Sequence, residues 1–184
     1  MSKRYYACVY GGASDRISPS VISEVETLGK IIHQNGFCLV YGAGATGCMG
    51  AAARGVNENG GYVMGISPHF INEFESIYPC DNTVMVDTMA ERKTLMEKHA
   101  DIYFVVPGGI GTMDEFFQVL TLKYLKRITE PILIVNIDGF YTSLLNFIND
   151  MVNRGAVVPD VYNLFQVINN IDENEISSIL QKIK

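Results

Sequence analysis

The chain has 184 residues, of which 48% are hydrophobic and 18% charged, and its formal net charge at pH 7 is −6. A chain of this length can form one α/β domain whose core needs neither a disulfide nor a metal. The acidic balance argues against non-specific binding to DNA or RNA, and the lack of a long apolar run argues against membrane insertion.

The four cysteines have no spacing typical of a zinc site or of a C-x-x-C pair. Cys8 and Cys38 lie inside apolar runs, where buried, reduced thiols are expected. No signal-peptide pattern follows Lys3 and Arg4, because glycine and polar residues from Gly11 onward interrupt any apolar segment. We therefore expect a protein of the reducing cytoplasm that holds no metal.

Short β-rich runs alternate with helical periods along the chain. The predicted strands lie at residues 5–10, 37–41, 62–66, 83–86, 102–106, 131–136 and 165–168. The predicted helices lie at residues 18–35, 49–57, 88–99, 113–127, 140–154 and from Asp172 onward. Residues 67–81, which include two prolines, are predicted to be irregular. The alternation predicts a single doubly wound, Rossmann-like α/β domain over residues 1–184, with a mostly parallel sheet and helices on both faces.

In such a sheet, ligands bind at the carboxyl ends of the strands. Four loops are then expected to face one crevice: residues 11–14, 42–47, 87–89 and 107–112. The loop at 42–47 fits G-x-G-x-x-G, but no acid stands at the end of the next strand to hold a ribose hydroxyl. We therefore expect neither NAD nor FAD, whereas a nucleotide or sugar phosphate near this loop stays open.

The segment Pro107–Glu115 lies between a predicted buried strand and an amphipathic helix. Its glycines let the backbone pass close to a ligand, and the helix N-terminus favours a phosphate. Thr112 is either the helix N-cap or a phosphate ligand. Glu115 carries a carboxylate, which is unsuited to holding a phosphate but can act on a group bound next to it. Glu115 and Asp114 are also typical of a first helical turn, where carboxylates complement the helix dipole.

The predicted helix after the fourth strand carries Arg92 and Lys93. Arginine suits a phosphate or a purine edge, and the alternative is a solvated helix face with ion pairs to Glu91 and Glu97. Among the three histidines we keep only His69, in the irregular segment, as a reserve candidate.

These motifs together resemble the LOG ("Lonely guy") family of cytokinin riboside 5′-monophosphate phosphoribohydrolases. The family signature is P-G-G-x-G-T-x-x-E with an M-x-x-R-K segment. Segments that match the family, in its order, lie at residues 9–14, 41–44, 47–50, 65–68, 89–93 and 107–115. Two positions depart from the pattern of many members. Ala43 replaces the middle one of three consecutive glycines, and Ala90 replaces a histidine. The second departure removes a polar group near Arg92, so the base preference is open.

The resemblance implies hydrolysis of the N-glycosidic bond of an adenosine-type 5′-monophosphate, plain or N6-modified, without a cofactor. It implies Glu115 and Arg92 as catalytic residues, with Arg92 holding the phosphate or polarising the departing purine. The implied substrate-binding residues are Ser14, Gly44, Met89, Lys93, Gly108, Gly109, Gly111 and Thr112. The acid that protonates the leaving base is open among Asp114, Glu75 and Glu91. Similar sequences are also labelled lysine decarboxylase, a label we reject because nothing else in the sequence points to a pyridoxal phosphate site.

The helix after the glycine motif is apolar around most of its circumference, which predicts a homodimer interface, as the resemblance also does. The residues concerned are Phe116, Phe117, Val119, Leu120, Leu122, Tyr124 and Leu125. The alternative is a central helix covered by its own neighbours. A competing function of a different class is a non-catalytic protein that carries the molybdenum cofactor or senses a nucleotide through similar glycine loops.

Overall fold

The computed structural model describes residues 3–184, so residues 1 and 2 of the predicted domain lie outside the described residues. Its strands are β1 Tyr5–Tyr10, β2 Phe37–Tyr41, β3 Val63–Pro68, β4 Asn82–Val86, β5 Ile102–Val105, β6 Ile132–Val135 and β7 Gln166–Ile168. Its helices are α1 Pro19–Gln34, α2 Gly47–Asn57, α3 Met89–His99, α4 Ile110–Tyr124, α5 Thr142–Asn153 and α6 Glu173–Gln181. This alternation of strands and helices confirms the predicted α/β class.

The described strands form one seven-stranded sheet in the order β4-β3-β2-β1-β5-β6-β7. All neighbouring strands pair in parallel, so the sheet is more uniform than the mostly parallel one predicted. The chain winds outward in one direction from β1 to β4 and in the other from β5 to β7. A crevice therefore opens outside the carboxyl ends of β1 and β5, where the winding reverses.

Both faces of the sheet are covered by helices. Buried side chains of α1, α2 and α6, such as Leu28 and Ile176, pack on one face. Those of α3, α4 and α5, such as Met96, Phe116 and Ile148, pack on the other. Because no face is left to solvent, the central strands read as continuous apolar runs rather than alternating ones.

Several boundaries differ from the sequence prediction, and two of these differences bear on the site. The strand β3 continues through Ser67 and Pro68, which pair with β4, and a 3₁₀ turn at His69–Glu73 follows. The helix α4 begins at Ile110, inside the glycine motif, rather than at residue 113. Glycine carries a propensity penalty in a helix, so the sequence rules excluded a first turn that contains Gly111. Among the described helices, none is long and apolar enough to cross a membrane.

Candidate functional site

A cavity of about 760 Å³ opens at the carboxyl ends of the central strands. It is bounded by the loops that follow β1, β3, β5 and β6 and by the first turns of α2, α3 and α4. Its lining residues are Gly11, Gly12, Ala13, Ser14, Ile17, Thr46, Met49, Phe74, Glu75, Ser76, Met89, Arg92, Gly108, Gly109, Gly111, Thr112, Glu115 and Phe140. The cavity thus lies at the topological switch point, where a parallel sheet binds its ligands.

The start of α4 forms one part of the cavity wall. Gly109 is the N-cap, and no side chain of the described residues caps the first backbone N–H groups of this helix. Apart from the adjoining backbone, a Cβ added at Gly109 or Gly111 would meet no atom of the described residues within 4 Å, whereas one at Gly108 would lie 2.1 Å from the Thr112 hydroxyl oxygen. Gly108 therefore serves protein packing, while Gly109 and Gly111 leave the N-terminus of α4 open to an anion.

Thr112 lies in the first turn of α4, at its third residue, and is 3% exposed. It is therefore not the N-cap, which was one of the two roles considered for it. The early start of the helix explains the difference, because the N-cap position falls on Gly109. The other role, as a phosphate ligand, stays a prediction.

A buried ion pair lies at the base of the cavity. Arg92 Nη2 is 3.7 Å from Glu115 Oε1, and the two side chains are 9% and 7% exposed. Arg92 Nη1 lies 3.9 Å from the sulfur of Met89, and Arg92 Nε has no hydrogen-bond partner among the described residues. The guanidinium therefore keeps at least one buried N–H donor, at Nε, that no described residue accepts.

The position of Arg92 depends on two local features. A capping box fixes the start of α3, because Thr88 Oγ1 accepts the Glu91 N–H at 3.1 Å and Glu91 Oε2 accepts the Thr88 N–H at 3.2 Å. The guanidinium then rests on Gly42, where an added Cβ would lie only 1.6 Å from Arg92 Nη2. Gly42 therefore provides the space that Arg92 occupies.

Glu115 has an altered acidity. Burial raises its pKa to about 7, and the nearby Arg92 guanidinium only partly opposes this effect. Near neutral pH the side chain is therefore divided between carboxylic acid and carboxylate. Such shifted carboxyl groups in clefts are typical of catalytic sites.

A strap, residues 74–78, crosses from the end of the 3₁₀ turn to the loop at 42–47. The Ala45 N–H donates to the Ser76 carbonyl oxygen at 3.0 Å, and the Tyr78 N–H donates to the Ala43 carbonyl oxygen at 2.9 Å. The strap brings Phe74 and Glu75 to the cavity and occupies the backbone of the G-x-G-x-x-G loop. The Ala45 N–H and the Ala43 carbonyl are therefore used within the protein.

The structure brings most of the predicted site residues together. Those that line the cavity are Ser14, Glu75, Met89, Arg92, Gly108, Gly109, Gly111, Thr112 and Glu115. His69, the reserve candidate, is exposed and lies outside the lining.

Four other candidates lie outside the cavity lining. Lys93 Nζ donates to both carboxylate oxygens of Asp114, at 2.9 and 2.8 Å, on the outer side of α3 and α4. Gly44 is buried beside Met49 and pairs with the strap. Glu91 is engaged in the capping box of α3. These contacts give each of the four a role within the fold.

Sequence reasoning missed Phe74 and Phe140 as cavity residues. Phe74 follows β3 and Phe140 follows β6, so both come from the same sheet edge as the predicted loops. The rule that ligands bind at the carboxyl ends of strands covers these loops too, but without a motif nothing singled them out. Among residues 3–184 as described, no group of three or more metal-ligating side chains is present.

Comparison with known proteins adds the following matches. A family model described as "Possible lysine decarboxylase" matches residues 49–176. A rice protein named "Probable cytokinin riboside 5′-monophosphate phosphoribohydrolase LOGL5" is 36% identical over 153 residues, which is 83% of this chain and 62% of that protein. The chain therefore spans less than two thirds of that relative's length. The Mycobacterium tuberculosis protein named "Cytokinin riboside 5′-monophosphate phosphoribohydrolase" is 33% identical over 147 residues, 79% of each chain.

Among solved structures, the molybdenum cofactor carrier protein of Chlamydomonas reinhardtii matches with a TM-score of 0.74 at 18% identity, covering 98% of both chains. At that identity the likeness concerns the fold alone. A pyridoxal phosphate decarboxylase requires a lysine that forms a Schiff base with the cofactor. No lysine is among the described residues that line the cavity, so the site does not fit that cofactor.

Proposed function

Because the chain belongs to the LOG family, we propose that it is a phosphoribohydrolase that cleaves the N-glycosidic bond of a nucleoside 5′-monophosphate. The products are the free base and ribose 5-phosphate. One observation carries the proposal: the buried Arg92–Glu115 pair shares a cavity with the uncapped N-terminus of α4. A phosphate anchor beside a carboxyl group of raised pKa is what this hydrolysis requires.

The substrate phosphate binds at Gly109, Gly111 and Thr112, with Ser14 on the adjoining loop. Support comes from the open space above Gly109 and Gly111 and from the hydrogen bond between the Gly12 N–H and the Pro107 carbonyl, 3.1 Å, which joins the two loops. Binding energy from this non-reacting group holds the ribose in position for bond cleavage.

Glu115 acts at C1′ of the ribose. When the glycosidic bond breaks, its electron pair leaves with the base and positive charge develops at C1′. A nearby carboxylate stabilises that charge or takes the proton of the attacking water, whose oxygen bonds to C1′. Arg92 donates to the phosphate or to the departing purine through its free N–H groups.

Glu75 is the proposed acid that protonates the leaving base. Of the three carboxyl groups considered for this step, it is the one that lines the cavity. Asp114 is held by Lys93, and Glu91 is held at the start of α3. A Glu75→Gln variant should therefore lose more turnover than Asp114→Asn; equal losses would contradict this assignment.

The proposed base is adenine or an N6-modified adenine, since the names of the relatives refer to cytokinin ribosides. The test is incubation with AMP and with isopentenyl-AMP, followed by chromatography of the released base. Glu115→Gln should keep nucleotide binding and lose about 1,000-fold in turnover. If the unmodified protein releases no base from either substrate above a blank, the proposal fails and the nucleotide-binding or molybdenum cofactor carrier function takes its place.

We also propose that two copies associate through the outer side of α4. Phe116 and Val119 are buried by the chain itself, which agrees in part with a covered helix, but Ile110, Tyr124 and Leu125 are 91%, 49% and 57% exposed. Sedimentation should show a dimer that Leu125→Asp weakens, and a monomer at all concentrations would contradict it. The free thiols of the four cysteines support a reducing compartment such as the cytoplasm.

A further inference from the structure

The cavity has two unlike ends, which follow from the strand order. The loops after β5 and β6 bring the start of α4 and Phe140 to one end. The loop after β3 and the start of α3 bring the strap and Met89 to the other. Since β3 and β6 are separated by β2, β1 and β5, these ends are about 19 Å apart at the level of the sheet. Arg92 lies between them, over Gly42 at the end of β2.

This order fixes the direction of a bound nucleotide, if the proposed function holds. A phosphate at the start of α4 and a ribose at the Arg92–Glu115 pair leave the base at the end formed by the strap. Phe140, at the other end, lies beyond the phosphate. The residues that meet the base are then those of the strap and Met89.

Phe74 is the large side chain of the strap. Its backbone N–H donates to the Ile71 carbonyl oxygen at 2.8 Å, and the residues after it are hydrogen-bonded to the loop at 42–47. The ring is nevertheless 78% exposed, although the residue lines the cavity. The backbone is thus fixed while most of the aromatic side chain is left uncovered at the mouth of the cavity.

We propose that Phe74 is a base-specificity residue, whose ring stacks on the nucleobase of the bound 5′-monophosphate. Stacking on an aromatic ring strengthens binding of any base, and it favours the larger surface of a purine over a pyrimidine. It adds nothing to the binding of a sugar phosphate without a base. The ring therefore distinguishes nucleotides by their base, whereas the start of α4 binds the phosphate that all of them share.

The test measures binding without turnover, in a Glu115→Gln background, by calorimetry with AMP, CMP and ribose 5-phosphate. Adding Phe74→Ala should weaken AMP binding by about 10- to 100-fold, weaken CMP binding less, and leave ribose 5-phosphate unchanged. Phe74→Trp should retain AMP binding. The matched control is Phe70→Ala, which removes a 42% exposed ring from the preceding 3₁₀ turn, outside the cavity lining, and should change none of the three.

Unchanged AMP affinity in Phe74→Ala would overturn the inference. So would an equal loss for AMP and ribose 5-phosphate, because that result means a collapsed strap rather than a lost stacking surface. Failure of the proposed function gives a different result: the unmodified protein releases no base, whatever the Phe74 variants bind.

Discussion

Two glycine-rich loops follow parallel strands at the same edge of the sheet, residues 42–47 after β2 and residues 107–112 after β5. The first is filled by the protein itself, since Arg92 occupies the space above Gly42 and the strap pairs with its backbone. The second is open, because among the described residues nothing beyond the adjoining backbone lies within 4 Å of a Cβ built on Gly109 or Gly111. The same residue type therefore serves packing in one loop and access for a ligand in the other.

The comparison shows that a glycine pattern indicates a ligand site only when the residues around it leave the space above the glycines open. One unfavourable feature lies in the loop at 42–47, and another lies just beyond the loop at 107–112. Ala43 has a φ of 64°, in the left-handed region that a side chain disfavours. Beyond the open loop, α4 holds Glu115, whose ionised form is destabilised by burial. In the filled loop at 42–47, here called the closed loop, the cost is a strained backbone. Next to the open loop at 107–112, the cost is the burial of a charge.

Among changes to the two loops, the largest effect should come from Gly42→Ala. The new methyl group must displace the Arg92 guanidinium, a flexible side-chain end, from its place beside Glu115, so kcat/KM should fall by about 100-fold. Enzyme kinetics with AMP in a double-mutant cycle check the cause: adding Gly42→Ala to Arg92→Ala should cost little more. Two independent, additive losses would show that the closed loop acts without Arg92.

The next effect concerns the free energy of unfolding against pH. Between pH about 4.5 and 7 the folded protein keeps a proton on Glu115 that the unfolded chain releases, so stability falls as pH rises through this window. The fall should be about 3 kcal/mol, since the pKa rises from 4.5 to about 7 and one pKa unit corresponds to about 1.4 kcal/mol. Urea unfolding of Glu115→Gln should lack it, which makes this variant the more stable one at pH 8. Parallel curves for the two proteins would contradict a raised pKa.

The raised pKa of Glu115 also predicts how kcat/KM depends on pH. If Glu115 acts as a carboxylate, kcat/KM should rise with pH through an apparent pKa near 7. A rate that falls through the same range would assign the working form to the protonated acid.

A smaller effect is expected from Gly111→Ala in the open loop. The methyl group meets no protein atom, and alanine favours a helix over glycine by up to about 1 kcal/mol, so stability should hold or rise. KM for the nucleotide should increase about 10-fold, as expected for the loss of one charge-assisted hydrogen bond. Unchanged KM would mean that the phosphate binds elsewhere.

The smallest effect is expected from Ala43→Gly. Relief of the left-handed backbone should add about 0.5 kcal/mol to the free energy of unfolding, because the loss of a buried methyl group offsets part of the gain. Turnover should stay the same. A loss of turnover would show that this methyl group, unlike the rest of the closed loop, faces the substrate.

The sequence was sufficient for the fold class and for the open loop, because alternating strands and helices and a glycine motif between them are local patterns. It was not sufficient for the direction of neighbouring side chains. Successive residues on a helix point about 100° apart, so only one of Arg92 and Lys93, and one of Asp114 and Glu115, can face the cavity. The helical period requires such a choice, but the packing of α3 against α4 decides it. The result is two ion pairs, one inside and one outside.

The strap joins the closed loop through main-chain groups: the Ala45 and Tyr78 N–H groups and the carbonyl groups of Ala43 and Ser76. Main-chain pairing places few demands on side-chain identity. The strap, which we propose meets the base, can therefore accept substitutions at low cost to folding, while the start of α4 and the Arg92–Glu115 pair stay constant. Substitutions in the strap can therefore change substrate preference, in evolution or by engineering, without altering the rest of the site.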